Sequence, residues 1–354
     1  MKKNFKVGII GCGRAGWLFN EDKLAARPVS HMSAYAANKK VEIAALCDID
    51  PRKLRGASRK YGVKKVYSDY RKMLSDETLD IISICTPADS HAEICDAAAT
   101  SGVRAIFCEK PVACSLKDAE KMIISCKKNG VKLIVNYTRS WDILFNGVRK
   151  ILAGNFTGKI NVVTAFSPVG LLNSGTHMFS LLREYFGDAE SVAGSLFPDK
   201  STDPGGTGII TFKNGVQCFF NSSFRDYVLF RIDIYGEKGI LEIKGGIRDN
   251  EVFRVFIGKK SKAESGVKEL EEARYRMDRR IPPLSNAIEN IIDNLERRTP
   301  IACTGKDAKA ALEIALAFHE SSRRKGRKLT LPLSNKTLKV IPRETSFTKN
   351  GRLK

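Results

Sequence analysis

The first third of the chain alternates short apolar segments with segments of helical spacing. Six apolar segments are short enough to be buried strands, at residues 6–10, 42–47, 65–67, 80–84, 105–108 and 132–136. Between them, residues 90–101 and 116–129 repeat apolar positions every three or four residues, and the glycines Gly102 and Gly130 follow them. This alternation predicts a doubly wound α/β domain with a parallel sheet, which binds ligands at the carboxyl ends of its strands.

After residue 136 the apolar segments become longer and alternate with polar positions. The predicted strands cover residues 160–166, 191–197, 208–212, 216–220, 230–235, 240–243 and 252–257. Turn-forming pairs such as Asn214-Gly215 separate them, and residues 175–186 have helical spacing. We predict a second α/β domain with a large open, mostly antiparallel sheet. Residues 259–280 are predicted to be an exposed charged excursion, and the chain from residue 334 a disordered or extended arm.

A glycine motif follows the first predicted strand directly. Gly11, Gly13 and Gly16 have the spacing G-x-G-x-x-G. In a dinucleotide site the first glycine allows a tight turn, the second lets the backbone approach a pyrophosphate, and the third lets the following helix pack on the strand. An ordinary turn is the alternative, but the preceding strand and the acidic residue that ends the second strand favour a dinucleotide site.

That acidic residue, Asp48, bears on the choice of cofactor. A carboxylate at this point accepts hydrogen bonds from the ribose hydroxyls of NAD and repels the 2′-phosphate of NADP. Arg52 and Lys53 follow closely and could hold that phosphate, so NADP stays possible. The alternative for Asp48 is a helix N-cap or turn former before Pro51.

Length and composition fit a cytoplasmic protein with two domains. The chain has 354 residues with 43% hydrophobic content, has no apolar run long enough for a membrane, and begins unlike a signal peptide. We predict a Rossmann dinucleotide-binding domain in residues 1–136, a substrate and oligomerisation domain in residues 137–333, and a basic tail in residues 334–354. The nine cysteines include no C-x-x-C pair, which favours reduced core thiols over disulfides or a metal site.

Nearly half of the net charge of +21 lies near the end of the chain. From Arg323 onward there are eleven lysines or arginines and one acid, Glu344, whereas both signs are mixed over the rest. No basic stripe with interleaved aromatic residues occurs, which argues against a nucleic-acid partner. The positive charge could instead attract an acidic small-molecule substrate, such as a phosphorylated sugar or a sugar nucleotide. A third explanation is a general bias in the composition.

Two further motifs carry candidate chemistry. Lys110 follows the fifth strand in Glu109-Lys110-Pro111, and His177 lies in Gly175-Thr176-His177 at the start of a predicted helix. A lysine near a nicotinamide can stabilise the developing alkoxide of a substrate, while an imidazole takes the proton as hydride leaves. A surface lysine and a helix-terminal histidine bonded to backbone are the alternatives.

These motifs, taken in order, resemble the Gfo/Idh/MocA group, which is named for glucose-fructose oxidoreductase and inositol dehydrogenase. The resemblance spans nearly the whole chain. It rests on residues 11–16, His31, residues 34–35, residues 45–48, residues 85–87, His91, residues 108–111, residues 175–177, residues 311–315, Ser321 and residues 331–333.

The resemblance implies an NAD(P)-dependent oxidoreductase with a Rossmann domain and a C-terminal α/β domain whose open sheet often mediates oligomers, here a dimer or tetramer. It gives catalytic roles to Lys110 and His177, and an unusual peptide geometry to the proline of the E-K-P motif. The residues expected at the cofactor are Gly11, Gly13, Arg14, Ala15, Gly16, Asp48, Arg52, Thr86, Pro87, His91, Glu109, Lys110 and Arg139.

The sequence departs from the family pattern in two places. Ser180 and Asn173 stand where the family often has acids, three residues after and four before the histidine. An extra segment separates Gly16 from His31, and Arg27 within it could help to close the site, or the segment could be a simple loop decoration.

We therefore predict hydride transfer between the nicotinamide and a secondary alcohol of a sugar, cyclitol or sugar derivative. The alternatives are a dinucleotide-binding sensor without turnover, which Ser180 favours, and a redox-neutral enzyme that retains its NAD.

Overall fold

A computed structural model of the protein describes residues 4–21, 28–224, 229–245, 252–260, 268–273 and 281–342. The chain divides into two compact units. The first consists of Met1–Asp142 and Ile281–Lys309, and the second of Ile143–Arg280 and Ala310–Lys354. The sequence-based division assigned residues 281–309 to the second domain. In the structure they return to the first unit.

The described residues form fifteen strands and nine α-helices. The strands are β1 (Phe5–Ile10), β2 (Val41–Cys47), β3 (Lys65–Tyr67), β4 (Ile81–Ile84), β5 (Ala105–Cys108), β6 (Lys132–Val135), β7 (Ile160–Pro168), β8 (Ala189–Leu196), β9 (Gly206–Phe212), β10 (Gln217–Phe224), β11 (Phe230–Gly236), β12 (Gly239–Gly245), β13 (Val252–Lys260), β14 (Lys268–Ala273) and β15 (Leu329–Thr330). The helices are α1 (His31–Ala36), α2 (Pro51–Tyr61), α3 (Tyr70–Asp76), α4 (His91–Ala99), α5 (Leu116–Lys128), α6 (Ile143–Ala153), α7 (Thr176–Phe186), α8 (Pro283–Arg297) and α9 (Gly305–Arg323).

The first unit contains a six-stranded sheet in the order β3-β2-β1-β4-β5-β6, with every pairing parallel. The predicted doubly wound sheet is confirmed. Its central strands are apolar on both faces because helices cover both, and Val7, Ile82 and Phe107 are fully buried. The strand order reverses between β1 and β4, which is where such sheets bind ligands at their carboxyl ends.

Local sequence signals set the helix ends in this unit. The side chain of Asp50 caps α2 by accepting from the backbone N–H groups of Arg52 and Lys53, and Pro51 occupies the first helical position. The helix ends at Gly62, which has the positive φ of 67° that favours glycine. Ser115 caps α5 in the same way, so both helices begin where the sequence supplies a polar cap.

The second unit contains a nine-stranded sheet in the order β14-β13-β12-β11-β7-β10-β9-β8-β15. Only the β7–β10 pairing is parallel among its described strands, which confirms a mostly antiparallel sheet. Helices α7 and α9 cover one face, where Phe179 and Phe318 stack with ring centroids 5.7 Å apart and Phe220 of β10 lies against both. Apolar side chains remain exposed on the sheet, namely Val162, Ile209, Phe219 and Tyr235.

Two predictions for the second unit hold only in part. Residues 268–273 are largely exposed as expected, but they form the edge strand β14, in which Glu271 and Glu272 pair across the strands with Lys259 and Arg254. The other predicted residues between 261 and 280 lie outside the described ranges. The start of the arm is also packed, since Leu338 and Val340 are buried. The rest of the predicted basic tail, residues 343–354, lies outside the described ranges.

All nine cysteines lie in the described ranges, and each is buried and free of disulfides. The prediction of core thiols is confirmed. No helix among the described residues combines the length and the apolar character needed to span a membrane.

Candidate active site

The three motif glycines differ in the space around them. Gly11 has a φ of +99°, and a Cβ built on it would lie 2.6 Å from the carbonyl carbon of Cys85. A Cβ on Gly16 would collide with the backbone oxygen of Gly11. Around Gly13, by contrast, a Cβ would meet no atom within 4 Å. The outer glycines allow close backbone packing, while Gly13 lines an open space that an anionic group can enter.

The first helix does not follow Gly16 directly. Turns and a short 3₁₀ helix, Leu18–Glu21, follow the motif, and α1 starts only at His31. The backbone N–H of His31 nevertheless donates to the carbonyl of Ala15 at 3.0 Å, and that of Met32 to Gly16 at 2.9 Å. Helix α1 therefore begins next to the glycine turn in space, although residues 17–30 separate the two in sequence. Residues 22–27, including Arg27, lie outside the described ranges.

Asp48 links the end of β2 to the glycine turn. Its Oδ2 accepts from the backbone N–H of Cys12 at 2.6 Å, and its Oδ1 accepts from that of Asp50 at 2.7 Å. The alternative that Asp48 caps α2 is wrong, because Asp50 is the cap. Asp48 does form a turn, however, and each carboxylate oxygen has a second lone pair for another donor. Arg52 is exposed, with its Nε 3.8 Å from Oδ1 of Asp50.

Ile49, which the sequence analysis overlooked, is 90% exposed beside Asp48. An apolar side chain left in solvent at the end of a Rossmann strand offers a surface to an adenine ring. The signal in the sequence was an isoleucine between two aspartates, directly before the proline that begins α2.

Two loops follow β4 and β5. Thr86 and Pro87 end the first loop, where Ser90 Oγ donates to Pro87 O at 2.7 Å. The ring of His91 lies between the loops, with Nε2 2.9 Å from Thr86 O and Nδ1 3.1 Å from Pro111 O. Burial lowers the pKa of His91 although these carbonyls favour its charged form. His91 thus lies inside the protein and joins the two loops to each other.

The second loop begins with Glu109. Its Oε1 accepts from Nε2 of His31 at 2.8 Å and from Nδ2 of Asn136 at 2.7 Å, and its Oε2 accepts from the backbone N–H of Lys110 at 3.2 Å. Burial raises the pKa of Glu109, but His31, Asn136 and Lys110 together outweigh it, so the pKa lies below its usual value. The Lys110–Pro111 peptide bond is cis, an unusual geometry of the kind that the resemblance implies.

Arg139 is half-buried in a 3₁₀ helix, Thr138–Trp141, just after β6. Helix α8 holds this turn, because Trp141 Nε1 donates to Oδ1 of Asn290 at 3.1 Å and Asn286 Nδ2 donates to Trp141 O at 3.0 Å. The return of residues 281–309 to the first unit therefore supports the loop that carries Arg139.

The first unit thus gathers most of the predicted cofactor residues at one edge of its sheet. They lie in the turn after β1, at the ends of β2, β4 and β5, and in the helical turn after β6. Asn136 and His31, which were not predicted as site residues, join the same edge through Glu109. Their signal was positional, since Asn136 directly follows β6 and Glu109 directly follows β5.

His177 belongs to the second unit, in the first turn of α7. A π-helical turn, Leu171–Gly175, precedes it. The buried carboxylate of Asp203 fixes that turn by accepting from the backbone N–H groups of Leu172 at 2.8 Å and Asn173 at 3.0 Å. Ser180, at the position that is often acidic in the family, is buried within α7, and Asn173 is half-buried.

Two family models match the chain. Residues 5–137 match the oxidoreductase family with an NAD-binding Rossmann fold, and residues 148–242 match the GFO/IDH/MocA C-terminal domain. The chain belongs to the GFO/IDH/MocA family. It is accordingly a member of a family of NAD-binding oxidoreductases, as the sequence predicted.

Relatives in this family include named sugar and cyclitol dehydrogenases. The chain is 29% identical over 272 residues to D-apiose dehydrogenase from Paraburkholderia graminis, covering 70% of this chain and 69% of that protein. It is 24% identical to myo-inositol 2-dehydrogenase from Thermotoga maritima, covering 89% and 96%. The WlbA dehydrogenase from Bordetella pertussis, solved with NADH and UDP-GlcNAcA, has the same fold, with a TM-score of 0.76, 19% identity and coverage of 94% and 99%.

Features of the first unit fit the NAD of this family. The open space at Gly13 can admit the pyrophosphate, Asp48 has lone pairs left for ribose hydroxyls, and Ile49 offers an apolar surface for the adenine. Thr86 and Lys110 follow β4 and β5, which lie on the other side of the glycine turn from Asp48. The sheet order thus places one adenosine-binding candidate and two nicotinamide-binding candidates on opposite sides of Gly13.

Proposed function

We propose that this protein is an NAD-dependent dehydrogenase that oxidises a secondary alcohol of a sugar, a cyclitol or a sugar derivative, or reduces the corresponding ketone. The observation that carries the proposal is the series of candidate groups along neighbouring strand ends, namely Asp48 after β2, the open glycine turn after β1, Thr86 after β4 and Lys110 after β5. Residues 1–136 would hold the cofactor, and residues 137–333 would supply substrate contacts.

NAD, when bound, would take the hydride released as the carbinol C–H bond breaks. Lys110 would stabilise the charge that develops on the substrate oxygen, and His177 would accept the proton of the substrate hydroxyl. The ammonium group of Lys110 hydrogen-bonds the reacting oxygen and stabilises the negative charge that develops on it. The imidazole of His177 accepts the hydroxyl proton, so that a ketone and a protonated imidazole remain. In the reverse direction His177 returns the proton.

NAD is our preferred cofactor because the carboxylate of Asp48 would repel a 2′-phosphate, while the exposed Arg52 keeps NADP as the alternative. D-apiose and myo-inositol, which name two relatives, are polyhydroxylated, and this supports a polyol or sugar substrate. The excess of basic residues suits an acidic member of that class, such as the sugar nucleotide bound by the WlbA dehydrogenase.

We further propose that the protein acts in the cytoplasm as a homodimer or homotetramer. The exposed apolar side chains of the large sheet, Val162, Ile209, Phe219 and Tyr235, lie on four adjacent strands and support association through this face. A sensor without turnover is the second candidate function, because Ser180 replaces an acid that the family often places near its histidine.

The first experiment is a fluorescence titration of the purified protein with NADH and NADPH. The tighter cofactor, in oxidised form, is then incubated with a panel of aldoses, cyclitols and sugar nucleotides while absorbance at 340 nm is recorded. Reduction with one substrate class supports the dehydrogenase. Tight binding without reduction on any member would favour the sensor or a redox-neutral enzyme.

Lys110→Ala tests the assignment of the lysine, with Lys117→Ala on the surface of α5 as the matched control. We expect kcat to fall by roughly 100-fold or more in the first variant and to stay unchanged in the second, with NADH affinity within about threefold in both. An unchanged kcat in Lys110→Ala would remove this lysine from the chemistry.

A further inference from the structure

We propose that His31 is a positioning residue that holds the Glu109–Lys110 segment in register with the glycine turn. The inference rests on the proposed role of Lys110 in hydride transfer and adds a residue on which that role depends. His31 would act through Glu109 and would touch neither the cofactor nor the substrate.

The imidazole of His31 is buried between four elements of the first unit. Its Nδ1 lies 2.6 Å from the hydroxyl of Ser83 on β4, and its Nε2 lies 2.8 Å from Oε1 of Glu109 at the end of β5. The hydroxyl of Tyr35, one turn further along α1, lies 3.3 Å from the same Ser83 oxygen. Asn136, after β6, completes the cluster by donating to Glu109 Oε1.

Hydrogen-bond roles can be assigned consistently through this chain of groups. Tyr35 donates to Ser83, Ser83 donates to Nδ1 of His31, and the Nε2–H of His31 donates to the carboxylate of Glu109. Each of these donors then has an acceptor. The bonds among Tyr35, Ser83, His31 and Glu109 fix these side chains closely, because a buried polar group that loses its partner costs about 1–3 kcal/mol.

A nucleophilic role for Ser83 is excluded by its position. A serine, a histidine and a carboxylate in line suggest an activated hydroxyl, but Ser83 is fully buried in the middle of the sheet. His31 and Tyr35 of α1 cover its oxygen, so no substrate could reach it without displacing that helix. The network therefore supports a neighbouring group, and the group at its exposed end is Lys110.

Glu109 transmits the constraint. One oxygen is held by His31 and Asn136, and the other accepts the backbone N–H of Lys110 at 3.2 Å. The carboxylate is 15% exposed, so it forms the boundary between the buried network and the open edge of the sheet. Rotation of Glu109 would release the Lys110 amide and with it the start of the lysine side chain.

The backbone of His31 ties the same residue to the glycine turn. Its N–H donates to the carbonyl of Ala15, across the excursion of residues 17–30. The extra segment therefore does not displace His31, which begins α1 next to the glycine turn. His31 thus makes two contacts. Its backbone bonds to the turn that is proposed to bind the pyrophosphate, and its ring bonds to Glu109.

Loss of the ring would also alter the ionisation of Glu109. The charged or titratable groups that face it are His31, Lys110 and His91, and the buried thiols of Cys85 and Cys108 are also close enough to sense its charge. Burial raises the pKa of Glu109, and His31 provides the leading opposing contributions. Without His31 the carboxyl would take up a proton at higher pH and could no longer accept from its neighbours with full charge.

Three substitutions separate the hydrogen bonds of the ring from its volume. His31→Gln places an amide nitrogen near the position of Nε2 and keeps a donor to Glu109. His31→Asn keeps a partner for Ser83 only, and His31→Leu keeps neither. Removal of another buried imidazole, in His319→Asn of the second unit, is the matched control.

We expect kcat, on the substrate that the panel identifies, to fall by roughly 10- to 100-fold in His31→Asn and His31→Leu and to stay within about fivefold in His31→Gln. The dissociation constant of NADH should stay within about threefold in all three, because the backbone bond to Ala15 remains. The acid limb of the kcat/KM profile should move to higher pH in His31→Asn and His31→Leu only.

Hydrogen exchange of the Lys110 amide provides a readout that needs no substrate. It should quicken in His31→Asn and not in His31→Gln or His319→Asn. Equal kcat and equal exchange in the Asn and Gln variants would overturn the proposal, as would losses that follow only the thermal stability of the variants. If Lys110→Ala is fully active, the proposed function of the lysine fails. If Lys110→Ala is inactive while His31→Asn is not, only the role of His31 fails.

Discussion

The substitution Gly13→Ala would test whether the open space in the glycine turn is the pyrophosphate site. Gly13 has no positive φ, and its added Cβ would meet no protein atom within 4 Å. The substitution should therefore leave the free energy of unfolding of the unliganded protein within about 0.5 kcal/mol. The new methyl group would occupy the space through which a phosphate oxygen approaches the backbone.

The magnitude follows from the hydrogen bonds that the methyl group would disrupt. A bond from a backbone N–H to a charged oxygen contributes about 1.5–3 kcal/mol, so the loss of one should raise the dissociation constant of NADH by roughly 10- to 100-fold. At an NADH concentration 100 times the wild-type constant, ligand stabilisation would fall from about 2.7 kcal/mol to about 0.4–1.4 kcal/mol. Fluorescence titration measures the first quantity, and thermal unfolding with and without NADH measures the second.

Gly16→Ala is the contrasting variant. Its Cβ would collide with the carbonyl oxygen of Gly11, which cannot move without the turn, so the unliganded protein itself should lose about 1–3 kcal/mol. Wild-type NADH affinity in Gly13→Ala, with a normal melting temperature, would refute the placement of the pyrophosphate at Gly13.

Three further predictions concern the second unit. His319 is buried, and burial lowers its pKa to about 4, so the unfolded chain binds a proton between about pH 6.5 and 4 that the folded chain does not. Between pH 8 and 5 the wild type should therefore lose about 2 kcal/mol more than His319→Leu in urea unfolding, and equal losses would contradict this cause. Asp203→Ala should free the turn before His177, lowering kcat by roughly tenfold or more while NADH affinity stays the same, whereas the exposed Asp188→Ala should change neither. Phe219→Glu should shift light scattering toward the monomer if the open sheet face joins subunits, and an unchanged mass would exclude that face.

The strands of the first unit were predictable because each is a short apolar run between polar residues. Their observed bounds differ from the predicted ones by at most one residue at either end, as at β5, where residues 105–108 match. Strand β14 was missed for the opposite reason. Its sequence Lys-Glu-Leu-Glu-Glu-Ala carries one large apolar residue, Leu270, and charge pairs with β13 supply the cross-strand contacts that apolar alternation usually signals.

Candidate site residues that lie at the ends of strands could be predicted from the sequence. Those that meet only through tertiary packing could not. Asp48, Thr86 and Lys110 each come directly after or close to the end of a strand, so the sequence located them. His31 and Glu109 are 78 residues apart, and only the order of the strands and the return of the chain after residue 30 bring them together. A linear pattern cannot show that the motif of Lys110, a candidate for catalysis, overlaps with a buried network.

The bonds from His31 to Ala15 and from Met32 to Gly16 also define a place where the chain tolerates change. Backbone hydrogen bonds join Ala15 and Gly16 to His31 and Met32, and residues 17–19 also donate to the carbonyls of Gly13 and Arg14 in the turn. Between Phe19 and Ser30 we therefore expect the length of the connection to be uncoupled from the geometry of the turn. A short peptide epitope or a fluorophore-bearing linker grafted between these points would report on events at the glycine turn without being part of it.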